Sequence, residues 1–328
     1  MRAILGRALG PWDNYEIGAW DCGAPGAGEL QVEVHSAGVT FVDALIASGR
    51  HQVKVPLPFI PGNEVAGVVV ALGTGVVRFA VGDRVACVGV GGKYAERINV
   101  QEAAALRVPE RMSFDEAAVF RGSFGCSYHA LAQGASLRAG ETVLVLGAAG
   151  AVGLAAVQIA AAMGARVLAS ASSEEKRQLA LRVGAHAAID THADDWRAQV
   201  RDWTDGRGLD VVVDPVGGEA TERAFRALGL GGRHLVIGFA SGSIPALPVN
   251  LALLKGASLI GIELSKFERR FPELGAANDR ALVALYSRGA ISAPPIAHRF
   301  AFARFREALA LAATGQSAGS IVLQIKEP

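Results

Sequence analysis

The sequence predicts an α/β protein in which a doubly wound parallel sheet is inserted into a β-rich domain assembled from both chain ends. Three observations carry this expectation. Up to about residue 123 the chain shows the polar–apolar alternation and turn residues of half-buried strands. From residue 124 short apolar strands alternate with helical segments, and after about residue 263 the pattern is mixed again. The 328 residues also suffice for two domains of roughly 150 residues each. The expected boundaries are 1–123, completed by 263–328, for the β-rich domain and 124–262 for the inserted one.

Residues 29–35 alternate polar and apolar, as a strand with one buried face does. Pro56, Pro58 and Pro61 place a loop ahead of Gly62. Residues 65–70 are all Val, Ala and Gly, and Gly82-Asp83-Arg84-Val85 opens another strand behind a turn. Within the insert, strands are expected at 143–146, 166–169, 187–190, 209–214, 234–239 and 258–263. Helices are expected at 153–163, 174–183, 194–204 and 221–228. This β-α-β-α order implies a parallel sheet with helices on both faces. Helices at 279–288 and 302–314 and a strand at 320–325 close the chain.

Hydrophobic residues make up 51% and charged residues 19%, so core-forming material is plentiful. With a formal net charge of +1 there is no electrostatic reason to expect nucleic acid or an anionic membrane as partner. Cys22, Cys87 and Cys126 are far apart and form no Cys-x-x-Cys pair, which suits a reducing compartment. The N-terminus is too short in apolar residues for a secretory signal. Residues 143–165 are apolar or glycine apart from Gln158, long enough to span a bilayer. Gly147, Gly150 and Gly153 instead divide that run into strand, turn and helix, so a cytoplasmic protein is expected.

The strongest chemical signal is Gly147-Ala148-Ala149-Gly150-Ala151-Val152-Gly153, directly after a buried strand and before a helix. Glycines there allow a tight turn and let backbone N–H groups approach a pyrophosphate, which the helix N-terminus also attracts. The tip of the following strand selects the dinucleotide. An NAD site usually carries an acid about twenty residues after the glycines. Here the strand ends Ala169-Ser170-Ala171-Ser172-Ser173, followed by Lys176. Hydroxyls and a cation suit a 2′-phosphate, which a carboxylate would repel. NADPH is the expected cofactor.

Several further motifs run through the chain in consistent order: Ala37-Gly38-Val39-Thr40-Phe41-Val42-Asp43, Gly62-Asn63-Glu64-Val65-Ala66-Gly67 and Val81-Gly82-Asp83-Arg84-Val85. Asp214-Pro215-Val216-Gly217-Gly218 and Val236-Ile237-Gly238-Phe239-Ala240-Ser241-Gly242 follow. Together they resemble the zinc-free quinone oxidoreductases of the medium-chain dehydrogenase/reductase superfamily. The resemblance implies a GroES-like domain, a Rossmann domain and a cofactor in the cleft between them. It also implies that Gly150, Ala151 and Val152, framed by Gly147 and Gly153, line the pyrophosphate. Ser170, Ser172, Lys176 and Thr191 would serve the adenosine phosphate, and Val216, Gly238 and Phe239 the extended cofactor. Cys126 and Thr40 would lie near the nicotinamide, and Ser320 joins the cofactor set. Thr40, Asn63, Arg121 and Tyr128 form the candidate catalytic set.

Some positions depart from the family's pattern. Thr40 stands where many members have Asn, Leu45 and His51 where some have Tyr, and Cys126 replaces a common Thr. Arg121 lies where small or apolar residues are usual, and Thr191 where some relatives have Tyr. Zinc-dependent relatives carry Cys and His where this chain has Thr40 and Asn63, and between Val85 and Asn99 only Cys87 could serve a cysteine lobe. No metal is therefore expected. Without a Lewis acid, hydride transfer suits acceptors that are already electrophilic, which points to quinones. Reduction of an activated C=C bond in an enone or enoyl thioester is the alternative, and a non-catalytic NADPH-binding protein the second. The proton would come from Tyr128, Ser127 or water. The apolar segment 256–262 reads as an unprotected edge strand, which invites a homodimer through the nucleotide domains.

Overall fold

The computed structural model describes residues 1–326. They form two compact units, residues 1–122 with the chain from 293 onward, and residues 123–292.

The first unit opens with an antiparallel ribbon, β1 (Arg2–Gly6) and β2 (Tyr15–Ala19). A seven-stranded sheet follows, holding β3 (Glu29–Val39), β4 (Glu64–Leu72), β5 (Arg84–Val88), β6 (Arg97–Gln101) and β7 (Ala105–Arg107). Leu30, Val32 and Val34 point into the core, as their alternation dictates. β3 runs on to Val39 because Ala37–Val39 are buried on both faces, where no alternation can appear.

The second unit is a six-stranded parallel sheet of β8 (Thr142–Leu146), β9 (Arg166–Ala171), β10 (Ala187–Asp190), β11 (Leu209–Asp214), β12 (Leu228–Val236) and β13 (Ser258–Gly261). Its order is β10-β9-β8-β11-β12-β13. All of β8 is buried, as are eight of the twelve residues of the helix Ala151–Ala162. The apolar run 143–165 is thus strand, turn and helix. Among the described residues no helix is long and apolar enough to cross a membrane. The chain then returns to the first unit, where β14 (Ile296–Ala301) pairs in parallel with β15 (Ser320–Gln324), and β15 joins β3 antiparallel.

Several boundaries differ from expectation. β12 begins at Leu228, six residues early: Leu228 pairs with Leu209, and the ladder resumes at Arg233 after an irregularity across the glycine-rich stretch 229–232, which reads as a turn in sequence. The preceding helix accordingly ends at Arg226. A helix at Leu264–Arg270 was not anticipated, and the next begins at Pro272. Residues 263–292, expected in the β-rich domain, cluster instead with the second unit. The Gln133 and Asn278 amides exchange two hydrogen bonds at 3.0 and 3.1 Å, and Ser292 N–H donates to Gln158 at 2.7 Å. Those polar ties fasten the segment there.

Candidate functional site

From β8 the chain winds outward through β9 and β10, and from β11 through β12 and β13, so strand order reverses between β8 and β11. A crevice at the carboxyl ends of such a pair is where parallel sheets bind ligands. The Gly147–Gly153 turn sits there. Gly147 has φ +56°, and a Cβ on it would lie 2.8 Å from Val216 Cγ2. A Cβ on Gly153 would lie 2.2 Å from the Gly147 carbonyl oxygen. Packing explains both glycines. Gly150 is different: its φ is −77°, and a Cβ would meet only the Gly147 oxygen, at 3.4 Å. It caps the helix Ala151–Ala162 without any side-chain hydrogen bond. The first N–H groups of that helix, at Ala151, Val152 and Gly153, therefore have no side-chain acceptor at the cap.

The neighbouring loops close on the same place. Val216 touches the Gly147 turn, and a Cβ on Gly217 would lie 2.8 Å from Phe239 Cδ1. Gly238 N–H donates to the Asp214 carbonyl at 3.4 Å, and Phe239 is exposed. Val216, Gly238 and Phe239 thus line one continuous surface with the turn. Asp214, which sequence reasoning used only as part of a motif, organises it. Its Oδ1 accepts from Val216 N and Gly217 N at 2.9 and 2.8 Å, and its Oδ2 from Thr221 Oγ1 at 2.6 Å and His234 Nε2 at 2.9 Å. Burial alone would raise its pKa, but these hydrogen bonds hold the carboxyl below its usual range.

At the tips of β9 and β10, Ala171 faces Asp190 across the ladder. Ser170 is fully buried, and its hydroxyl meets that of Thr191 at 3.1 Å. The two hydroxyls engage each other, with Ser170 closed to solvent and Thr191 partly exposed. Ser172 is exposed. The Lys176 ammonium has no hydrogen-bond or ion-pair partner among the described residues. Arg177, beside it, is fastened: it donates to Asp190 Oδ2 at 2.8 Å and to the Ala171 carbonyl at 3.2 Å. The sequence holds no signal for that pairing across thirteen residues.

The helix Phe120–His129 contributes Ser127, whose hydroxyl donates to the Val152 carbonyl at 3.0 Å. Burial and then the Glu263 and Glu268 carboxylates push the Cys126 thiol up to about 12, so it stays neutral. The half-buried Tyr128 hydroxyl has no partner among the described residues. His129 stacks on Phe267 with ring centroids 4.0 Å apart, a packing role.

In the first unit Thr40 and Asp43 form a capping box on the helix Phe41–Ala47. Thr40 Oγ1 donates to Asp43 Oδ2 at 2.6 Å, which engages the hydroxyl that sequence reasoning placed in the catalytic set. Asn63 Oδ1 accepts from Gly91 N at 3.0 Å. Arg121 is buried, with Nη1 3.5 Å from the Ala104 carbonyl. Ser320 is buried at the start of β15 in this unit. The Glu64 carboxyl is wedged between glycines: a Cβ on Gly38 or Gly122 would come within 2.6 or 2.3 Å of its oxygens. Burial and the Asp43 charge push Glu64 up to about 8, against a hydrogen bond from Gly122 N–H. Burial likewise lifts Asp43 to about 6, against its bonds from Thr40. Among the described residues no group of three or more His, Cys, Asp or Glu is disposed to hold a metal. The donor set at Thr40 and Asn63 does not fit zinc, since both side-chain oxygens are already engaged and neither is a thiolate or imidazole.

Residues 26–110 match the alcohol dehydrogenase GroES-like domain and residues 151–278 the family described as zinc-binding dehydrogenase. Fold and site together define an oxidoreductase of the medium-chain dehydrogenase/reductase superfamily. The chain is 35% identical over 304 residues to quinone oxidoreductase-like protein 2 homolog of Nematostella vectensis, covering 92% of this chain and 83% of that protein. It belongs to the quinone oxidoreductase family. A mycobacterial protein solved in complex with NADPH has a TM-score of 0.91 at 29% identity, each chain 99% covered. The CurK enoyl reductase has a TM-score of 0.90 at 26% identity, each chain 98% covered.

Proposed function

We propose that this protein reduces quinones or similarly electrophilic acceptors with NADPH, without zinc. The observation that carries the proposal is Gly150: a glycine at a helix start, at the reversal point of the sheet, that no packing contact requires. The missing side chain leaves room for a pyrophosphate against the N–H groups of Ala151, Val152 and Gly153. Lys176, without a protein partner, and Ser172 offer charge and a donor to a 2′-phosphate, while Asp190 is neutralised by Arg177. The likeness to the NADPH-bound mycobacterial structure supports the same cofactor. When bound, NADPH supplies the hydride.

The chain's own residues do the rest. Val216, Gly238 and Phe239 give the cofactor a partly apolar wall. The neutral Cys126 thiol adds no charge beside it. Of the two side-chain proton sources, Ser127 is tied to Val152, whereas the Tyr128 hydroxyl is unengaged, so we assign the proton to Tyr128. Oxidation of NADPH followed across quinones, enones, aldehydes and enoyl thioesters tests the reading. Turnover with none of them overturns it. A second reading, reduction of a conjugated C=C bond, is supported by the likeness to the enoyl reductase. Product analysis separates the two.

We also propose a homodimer through the nucleotide units. β13 closes its sheet on one side, Leu259 on it is half exposed, and Leu253 and Leu254 on the adjacent helix Asn250–Lys255 are 83% and 76% exposed. An uncovered edge beside apolar side chains favours pairing with its twin. Light scattering showing only monomer at micromolar concentration would refute this.

A further inference from the structure

The second unit carries a groove of about 700 Å3 at the amino-terminal ends of β11 and β12. Residues 206–208 lead into β11, and Ala227 leads into β12. The Gly147–Gly153 turn follows the carboxyl end of β8, which runs parallel to β11. The groove therefore lies at the opposite edge of the sheet from the dinucleotide crevice. Arg197, Arg201, Arg207, Arg226 and Lys255 line it, and no Asp or Glu does. In a chain with 32 basic and 31 acidic residues that is a sharp local imbalance.

We propose that this groove binds a small oligophosphate, at a site separate from the NADPH crevice. Its cations are poorly neutralised by the protein itself. Arg197 makes no ion pair among the described residues. Arg201 and Arg207 reach Asp202 and Asp205 only at 3.4 and 3.6 Å, between exposed side chains where such pairs contribute little. Arg226 has one close partner, Glu222, at 2.6 Å. The half-buried Lys255 ammonium donates to the Leu228 carbonyl at 2.9 Å. Burial, then the charges of Arg197 and Arg226, hold it below its ordinary value, so the groove's own cations repel one another.

Spacing matches the ligand class. Arg197 and Arg201 stand four apart on the helix Trp196–Trp203 and so project from one face. Guanidinium forks bind phosphoryl oxygens in bidentate fashion, and several forks around one hollow suit an anion with oxygens spread along its length. Arg197 and Arg226 also line an adjoining hollow of about 320 Å3 with Arg223, which lies over the Trp196 ring at 5.1 Å, and with one acid, Asp194. The cationic track thus exceeds one phosphate in length. Leu230 forms an exposed apolar wall beside it.

Calorimetric titration with sodium tripolyphosphate at physiological ionic strength tests the site. We expect saturable binding, weakened about tenfold or more in Arg197→Gln/Arg201→Gln, a loss of ~1.4 kcal/mol. The melting temperature of that variant should be unchanged, because both side chains are exposed. Lys176→Gln, at the other edge, should bind tripolyphosphate as the wild type does. ATP binding more tightly than tripolyphosphate would assign a nucleotide, with its base on the Leu230 wall; equal binding would assign the phosphate chain alone. Undiminished affinity in the double variant, or binding no tighter than that of sulfate at equal ionic strength, would overturn the proposal.

Discussion

The Asp214 carboxylate and the His234 imidazole form a wholly buried hydrogen bond, Oδ2 to Nε2 at 2.9 Å, that ties the end of β11 to the neighbouring β12. The same carboxylate holds the loop of Val216 and Gly217 through two backbone N–H groups. Thr221→Val removes the fourth donor to that carboxylate, at 2.6 Å. Losing one hydrogen bond to a buried charged group should cost roughly 1.5–3 kcal/mol in urea unfolding. NADPH affinity should fall with it, because the loop lines the crevice. Asp214 is held below its usual value of 3.8, so its contribution is present above that value and is lost as pH falls through the folded pKa. Thr221→Val should therefore shift the onset of acid unfolding to higher pH.

Glu64 has the opposite sign. Its carboxyl keeps its proton up to about 8 when folded but releases it near 4.5 when unfolded. Between those values the folded state binds more protons, so stability declines as pH climbs from about 4.5 to about 8 and levels off beyond. Asp43 acts in the same direction up to about 6. Glu64→Gln should flatten most of the decline and melt above the wild type at pH 9. Parallel melting curves for the two proteins between pH 5 and pH 9 would rule the reading out.

Ala171 ends β9 opposite Asp190, whose charge is already paired with Arg177. Ala171→Asp adds an unpaired carboxylate there. We expect NADPH to bind about tenfold more weakly, ~1.4 kcal/mol, with NADH little affected. Equal losses for both cofactors, measured by fluorescence titration, would remove the 2′-phosphate from this strand tip.

Tyr128→Phe deletes the one unengaged hydroxyl of the helix Phe120–His129 segment read as lining the nicotinamide. Turnover should fall by about a hundredfold, within the range of a general acid, while NADPH affinity and melting temperature hold. Unchanged turnover would reassign the proton to water.

Protein purified without chelators should contain less than about one-tenth of a zinc ion per chain, because Thr40 and Asn63 lack the sulfur and imidazole donors the ion prefers. Elemental analysis showing near-stoichiometric zinc, lost together with activity, would contradict the zinc-free reading.

The sheet of the second unit was legible because each buried strand is bounded by glycine or a charged helix start, as at 143–146 followed by Gly147. The glycine turn was legible for the same reason. What stayed hidden depends on distance in the chain. The Asp214–His234 bond spans twenty residues, the Gln133–Asn278 pair 145, and the wedging of Glu64 needs both Gly38 and Gly122. Nothing local marks any of them. Thr40 was legible in a second way: its Thr-x-x-Asp spacing to Asp43 is a cap signal, and the structure forms that capping box.

The three glycines of the turn carry separate histories of constraint. A library screened for folding alone should reject most replacements at Gly147 and Gly153, where a methyl group would strike Val216 or the Gly147 carbonyl. The same screen should pass Gly150→Ala almost unnoticed. A library screened for growth dependent on activity should reject all three. Position 150 is thus where selection for what the chain holds becomes separable from selection for how it stands.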